Sequence, residues 1–369
     1  MNHGQKKIVI WILVTAVISV IVILCYLLFV RGQKEKEPME AAVTQESTIT
    51  PTPSPTKDPH ENMVRSSLTG QWIDKSVAKK RPFAVMINNI EYAFKNQMGT
   101  SKADIMYEAL AEGGITRMMA VYEDVKGVRR IGSVRSARHY YVQFANEWNA
   151  VYCHFGHTKY ATAKIEKLDI DNLSGLSAIG PVVYARTSKL YAPHNVFTSG
   201  SKLIKGAKKL KYSLKRDTDK MAEHFAFSEK DTVPENAKNA KKAVLPFSYY
   251  STCKLIYDAK EKKYLKYEYG QKHMDRYNKK QLAFKNVIVQ FVEESNIDRN
   301  GYQTMKLSND KGTGYYLTNG KQIPIRWVRK ESSNTMKYQD KNGDILTMNP
   351  GKTYIAVFPK NRQKLIRIK

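Results

Sequence analysis

The strongest hydrophobic pattern lies at the start of the chain, where Ile8 to Val30 (IVIWILVTAVISVIVILCYLLFV) runs 23 residues without a charge. About 20 apolar residues suffice to cross a bilayer as a helix, so residues 8–30 are expected to be one transmembrane anchor. Lys6 and Lys7 precede the run, and Arg31, Lys34 and Lys36 follow it among Glu35 and Glu37. The charge rule for orientation is therefore balanced, and the short head of residues 1–7 fits a signal-anchor with its N-terminus inside. Residues 31–63 turn to Thr, Ser, Pro and Glu, with TPTPSPTKDP at 50–59. Such a segment buries too little apolar surface to fold and reads as a disordered tether.

Beyond it the periodicity alternates. Phe83–Ile87 is a short apolar run suited to a buried strand, and Ser101–Glu112 reads as a helix with Ser101 and Asp104 in capping spacing and Gly113 as its stop. Met118–Tyr122 and Val151–Phe155 read as strands, and Ser136–Trp148 and Tyr160–Leu168 as helices. This alternation predicts an α/β domain over residues 64–230 with a mostly parallel sheet. From residue 231 to 369 the pattern becomes strands and turns, with Asn319-Gly320, Asn342-Gly343 and Asn349-Pro350-Gly351 as turn signals. A second, β-rich α+β domain is expected there.

Charge sharpens this division. The net charge of +27 is uneven, since residues 62–200 carry 18 basic and 11 acidic side chains and residues 201–369 carry 37 and 17. Lysine and tyrosine interleave in KYLKYEY (263–269), a pattern that could hold a polyanion or, more simply, one wet and one buried face of a sheet. An anionic wall polymer, a glycan or anionic lipid are the partners this charge fits, and a membrane location argues against nucleic acid. Three cysteines (Cys25, Cys153, Cys253) form no disulfide framework, although a single Cys153–Cys253 bridge stays open beside two separate thiols.

Candidate chemistry gathers after the expected strands, where open α/β sheets bind ligands. Asp104, Glu108 and Glu112 recur every four residues and would form one acidic stripe on the expected helix. Arg117, Arg135 and Arg138 are the nearest cations, the last two in GSVRSARHYY at a helix start, where the helix dipole favours anions. An internal ion-pair network and a bound anionic ligand are both consistent with this. His154 and His157 have HxxH spacing and His194 could join them, but no carboxylate motif completes a zinc signature, so no metal is expected. P-loop, GxSxG, SxxK and dinucleotide fingerprints are lacking, so no cofactor is expected either.

Taken together, RPFAVMINN (81–89), ADIMYEALAEGGITRMMAVY (103–122), IGSVRSARHYY (131–141), HFG (154–156) and APHN (192–195), followed by YDAKEKKY (257–264), NVIVQF (286–291), GTGYYLTNGK (312–321) and NPGKTYIAV (349–357), resemble the YerB family. These are extracytoplasmic lipoproteins of Gram-positive bacteria built from paired N- and C-terminal domains of unknown function (DUF3048). The resemblance covers residues 64–369 and implies location and architecture, with no activity to carry over. Asn88, Asp104, Glu108, Glu112, Arg117, Arg135, Arg138, His154, His194 and Asn195 fall inside its motifs. His157 stands where the family tends to a small residue, and Ser133 replaces a usual proline. Val22-Ile23-Leu24 before Cys25 does not form the lipobox of a lipoprotein, so a helix in place of a lipid is expected to be the anchor.

The expectation is thus a single-pass cell-membrane protein with extracytoplasmic domains that binds an anionic or glycan ligand or an envelope partner through Asn88, Asp104, Arg117, Arg135, Arg138, His194 and Asn195. Two alternatives remain beside it: a cell-wall glycan hydrolase or transferase using two of Asp104, Glu108 and Glu112 near His154 as acid and base, and a structural partner-binding module.

Overall fold

A computed structural model describes residues 20–27, 60–217, 219, 224–330 and 335–369. The chain divides into two units, Met1–Lys57 and Asp58–Lys369. Of the first unit, residues 20–27 are described, and they are helical. No helix among the described residues is long and apolar enough to cross a membrane. The expected anchor over 8–30 lies otherwise outside the described residues, as does the tether up to residue 59. The tether's last residues are already structured, because Met63–Arg65 pairs with Trp72–Asp74.

In the second unit, the N-terminal half supplies strands β1 (Phe83–Asn88), β2 (Ile105–Leu110), β3 (Thr116–Tyr122), β4 (Val151–His154) and β5 (Asn172–Ser174). The C-terminal half adds β6 (Lys242–Pro246), β7 (Thr252–Asp258), β8 (Lys263–Glu268), β9 (Asn286–Val292), β10 (Asp310–Thr318), β11 (Lys321–Arg329) and β12 (Thr353–Pro359). The halves keep the expected α/β and β-rich characters, yet their largest sheet is shared. Its eleven strands run Lys238–Asn239, β11, β10, β9, β12, β2, β3, β1, β4, β5, with Lys337–Gln339 also on β11. The join is β12, which lies parallel to β9 on one side and parallel to β2 on the other. The sheet is mixed rather than mostly parallel: β3 runs antiparallel to both β1 and β2, while β4 is parallel to β1 and β5.

The expected helix Ser101–Glu112 is instead a single 3-10 turn (Thr100–Lys102) followed by β2. Met, Glu, Ala and Leu favour helix locally, but this segment sits in the middle of the sheet with all six residues buried. Alternation then sends its side chains to two layers. Tyr107 stacks on Phe144 (centroids 4.7 Å) and accepts a hydrogen bond from Trp148 (2.9 Å) on the helical side. Glu108 faces the opposite side, where β6, β7 and β8 form a second, antiparallel sheet. Helix α1 (His139–Glu147) is almost wholly buried and starts at Arg138. Helix α2 (Lys159–Lys167) is capped by the Thr158 hydroxyl. Helix α3 (Gly200–Lys209), unread in the basic stretch after Lys202, is capped by Ser199 and buries Leu203, Gly206 and Ala207.

Cys153 and Cys253 are separate buried thiols. Burial pushes both thiols up, Cys253 to about 12, as expected where the thiolate has no solvation.

Candidate functional site

Strands β1, β2 and β4 point the same way, so their C-terminal ends meet the N-terminus of β3 and of α1 at one edge of the sheet. That edge gathers Asn88, Glu112, Arg117, Arg135 and Arg138. Gly132 makes the approach: its φ of +144° suits glycine, and a Cβ there would stand 2.9 Å from the Phe197 ring and the Val196 carbonyl. Next to it, Ser133 accepts a backbone hydrogen bond from Asn88 (2.9 Å) and one from its side chain (3.3 Å).

Glu112 is the carboxylate at the centre of this group. It takes two hydrogen bonds from Arg138, through Nε and through Nη2 (2.5 Å), and lies 3.7 Å from Arg117. Against the opposing effect of its burial, this fork-on-carboxylate geometry lowers the Glu112 pKa. Arg117 is 3% exposed and donates to the Ser136 carbonyl (2.7 Å). Burial, then the charge of Arg138, lowers its guanidinium to about 9. Arg135 is half-buried, reaches the Pro193 carbonyl at 3.4 Å and leaves its buried Nε without a partner. Its acidity is raised by burial and by Arg138 and Arg186. Arg186 is exposed, stacks over Phe155 (4.7 Å) and donates to Asn195 (2.6 Å). His194 Nδ1 lies 2.9 Å from the Asn88 amide, and its ring packs near Tyr92 (5.2 Å). Burial and Arg135 lower its pKa. The Tyr152 hydroxyl is fully buried, against the Arg138 backbone and within the field of the Arg138 and Arg117 charges.

Four of the sequence candidates lie elsewhere. Asp104 is just before β2, at the opposite edge of the sheet, accepts from the Glu123 amide (2.8 Å) and is raised to about 6 by burial. Glu108 is in the core between the two sheets. His154 is buried, within 2.8 Å of the Gly156 carbonyl and 3.2 Å of Asn172, and is lowered to about 4 by burial. His157 keeps its ring 6.0 Å from that of His154. The acidic stripe therefore does not exist as one surface: a strand sends Glu108 inward, while Asp104 and Glu112 flank opposite ends of it.

Around Glu108 the structure builds a second charge cluster that periodicity did not reveal. On β8, Tyr264, Lys266 and Glu268 point into the core. Lys266 Nζ lies 3.0 Å from Glu108, 2.5 Å from Glu268 and 3.1 Å from His273 Nδ1. Asn89 donates to Glu108 (3.1 Å) and Glu268 (3.0 Å), Tyr354 to Glu108 (2.8 Å), Ser251 to Glu268 (2.7 Å), and Gln97 bridges Asn89 to His273. Lys266, Glu108 and Glu268 are each 0% exposed. Burial and the neighbouring Glu268 raise Glu108 to about 7, whereas Lys266 and His273 hold Glu268 far below the usual range despite burial. Arg186 and this cluster were missed; the alternation in KYLKYEY was the signal for the latter.

The paired sequence blocks now have a structural counterpart, since both halves are needed to complete one sheet. The chain matches the family model described as Protein of unknown function (DUF3048) N-terminal domain over residues 68–213, and that of the DUF3048 C-terminal domain over residues 243–355. The chain belongs to the DUF3048 family. It is 31% identical over 297 residues to the protein named "Putative lipoprotein YerB" of Bacillus subtilis strain 168, covering 80% of this chain and 86% of that protein. The crystal structure of YerB protein from Bacillus subtilis superposes with a TM-score of 0.72 at 28% identity, over 83% of this chain and 99% of that one. In this DUF3048 chain the N-terminal family segment contributes the arginines of the site, and Lys266, Glu268 and His273 of the sealed cluster come from the C-terminal segment.

Proposed function

We propose that this DUF3048 chain is a membrane-anchored extracytoplasmic protein of the cell envelope whose arginine site binds a small anionic ligand, such as a carboxylate- or phosphate-bearing glycan. The observation that carries this reading is the charge balance at the sheet edge: Arg117, Arg135 and Arg138 share the single carboxylate of Glu112. Like charges held together in partly dry surroundings are costly, and an anion accepting from Arg135 and His194 would relieve them. Asn88 sets the orientation of His194, and Asn195 sets that of Arg186. The hydrolase alternative needs two carboxylates facing one substrate, and Asp104, Glu108 and Glu112 face three different surroundings.

Extracytoplasmic placement is supported by the relative named as a lipoprotein and by the apolar run at 8–30, which we read as an uncleaved helical anchor. Intact mass of the membrane-extracted protein is expected to show Met1 retained and no acyl group on Cys25.

Calorimetric titration of the full chain in detergent with inorganic phosphate, glucuronate and glucose tests the ligand reading. The two anions are expected to bind and glucose not, with Arg135→Gln weakening both by roughly tenfold, the worth of one charge-assisted hydrogen bond. Equal binding by wild type and Arg135→Gln would overturn it.

A further inference from the structure

A second cationic feature lies at the far end of the same sheet. Strands β2, β9 and β12 are mutually parallel, and their N-terminal ends open together onto a recess of about 540 Å³. Lys102 comes from the turn before β2, Lys285 from the residue before β9, and Lys352 from the residue before β12. Lys262, Lys263 and Lys280 complete the wall, and Asp231 and Glu261 are its carboxylates. Six lysines thus face two acids.

The internal pairings leave an excess. Asp231 is engaged by Lys285 (2.7 Å) and Lys262 (3.5 Å), and Glu261 by Lys263 (3.6 Å). Lys352 donates to the Ser101 carbonyl (2.7 Å), and its ammonium is lowered by burial and by the charges of Lys102, Lys263 and Lys280, with Asp104 opposing them. Lys102 and Lys280 are exposed and have no carboxylate partner among the described residues. The repulsion felt at Lys352 places these lysines in one electrostatic neighbourhood.

We propose that this recess is a binding groove for a linear polyanion with repeating phosphate groups. It extends the anionic reading given above to a separate set of residues, and neither site needs the other. Shape selects the partner: a planar bilayer meets flat or convex basic surfaces, whereas lysines lining a recess surround a narrow chain. The lining also separates this partner from nucleic acid. Its other residues are Gln71, Ser101, Gln281, Ala283, Pro350 and Gly351, so no aromatic platform is present among the lining residues to stack a base. Flexible ammonium groups read charge at short range without fixing a unique geometry, which suits a repeating polymer better than one small molecule.

The test uses the full chain in nanodiscs of zwitterionic lipid, with linear inorganic polyphosphate as the probe and affinity read by fluorescence anisotropy at low and at physiological salt. Wild type is expected to bind with a steep salt dependence, and Lys102→Gln/Lys280→Gln to bind at least about tenfold more weakly with a shallower salt slope. Both lysines are exposed, so an unchanged thermal midpoint is expected for the double variant. Lys208→Gln/Lys209→Gln, at two exposed lysines of α3 outside the lining, is expected to bind polyphosphate as wild type does, which separates this groove from the general positive charge of the chain. Wild-type affinity in the double variant would overturn the proposal. So would tighter binding to a single-stranded oligonucleotide of equal charge, or equal binding to anionic vesicles, which would make the patch a base-stacking or bilayer-facing surface.

Discussion

The arginine site and the Glu108–Lys266–Glu268 cluster use the same ingredients to opposite ends. In the core cluster every charge is met. Lys266 lies between two carboxylates, His273 and Asn89 fill the remaining directions, and nothing is exposed. At the sheet edge the cations outnumber the carboxylate, the buried Arg135 Nε is unpartnered, and Arg186 and His194 give access from solvent. A cluster of ionisable groups therefore points to a ligand only when charge is left over and a route leads to it. A balanced, sealed cluster specifies how two layers dock. Here it ties the second sheet to the first, since Lys266–Glu108, Asn89–Glu268 and His273–Gln97 each join residues of the two halves.

The largest expected effect breaks the sealed cluster. Lys266→Met leaves Glu108 and Glu268 facing each other without their cation, and should cost about 3–5 kcal/mol in denaturant unfolding. Adding Glu108→Gln and Glu268→Gln to that variant removes the stranded charges and is expected to recover much of the loss. If the triple variant is as unstable as the single one, packing of the lysine stem, not charge compensation, holds the layers.

A smaller effect is expected at the open site. Glu112→Gln removes the charge and one of the two acceptor oxygens of the Arg138 fork, beside a guanidinium that is 6% exposed, at a cost of roughly 1–3 kcal/mol. Unlike the core variant, it should regain stability on addition of inorganic phosphate, because solvent reaches this cluster. Thermal midpoints with and without phosphate check this, and an absence of rescue would make the site a second structural network.

Much of the frame was legible from periodicity. Phe83–Asn88, Thr116–Tyr122, Val151–His154 and His139–Glu147 fall where the apolar runs placed them, because each is flanked by turn residues and buried by contacts the local pattern already encodes. The arginines at the α1 start were found for the same reason. Residues 101–112 were misread because a central strand covered on both faces carries no alternation, so residues of good helix propensity set the pattern. Asp104, Glu108 and Glu112 were then grouped by a helical period the chain does not have. Lys266 and Glu268 hid in a lysine-rich half, where an inward lysine looks like its solvated neighbours. Only the long-range pairing of β12 with β2 creates the space they fill, and no local signal records a partner some 250 residues away.

The subtlest way to separate the two clusters is by pH. Glu108 rises from 4.5 to about 7 on folding, so the folded protein holds a proton there that the unfolded chain releases above pH 4.5. Its contribution to stability is fully present below pH 4.5 and is lost as pH rises through about 7. Glu112 is lowered, so its contribution is present above pH 4.5 and is lost as pH falls. Asp104 and Glu147 are raised to about 6 and about 7 and act in the same sense as Glu108, while His273, lowered to about 4, acts in the opposite sense. The informative quantity is therefore the difference between wild type and Glu108→Gln across pH 4.5 to 7. Glutamine mimics the protonated acid, so the variant should lack the part of the fall in stability with rising pH that belongs to Glu108. Parallel curves would mean that Glu108 stays ionised in the fold, with the buried Lys266 shared between two full negative charges.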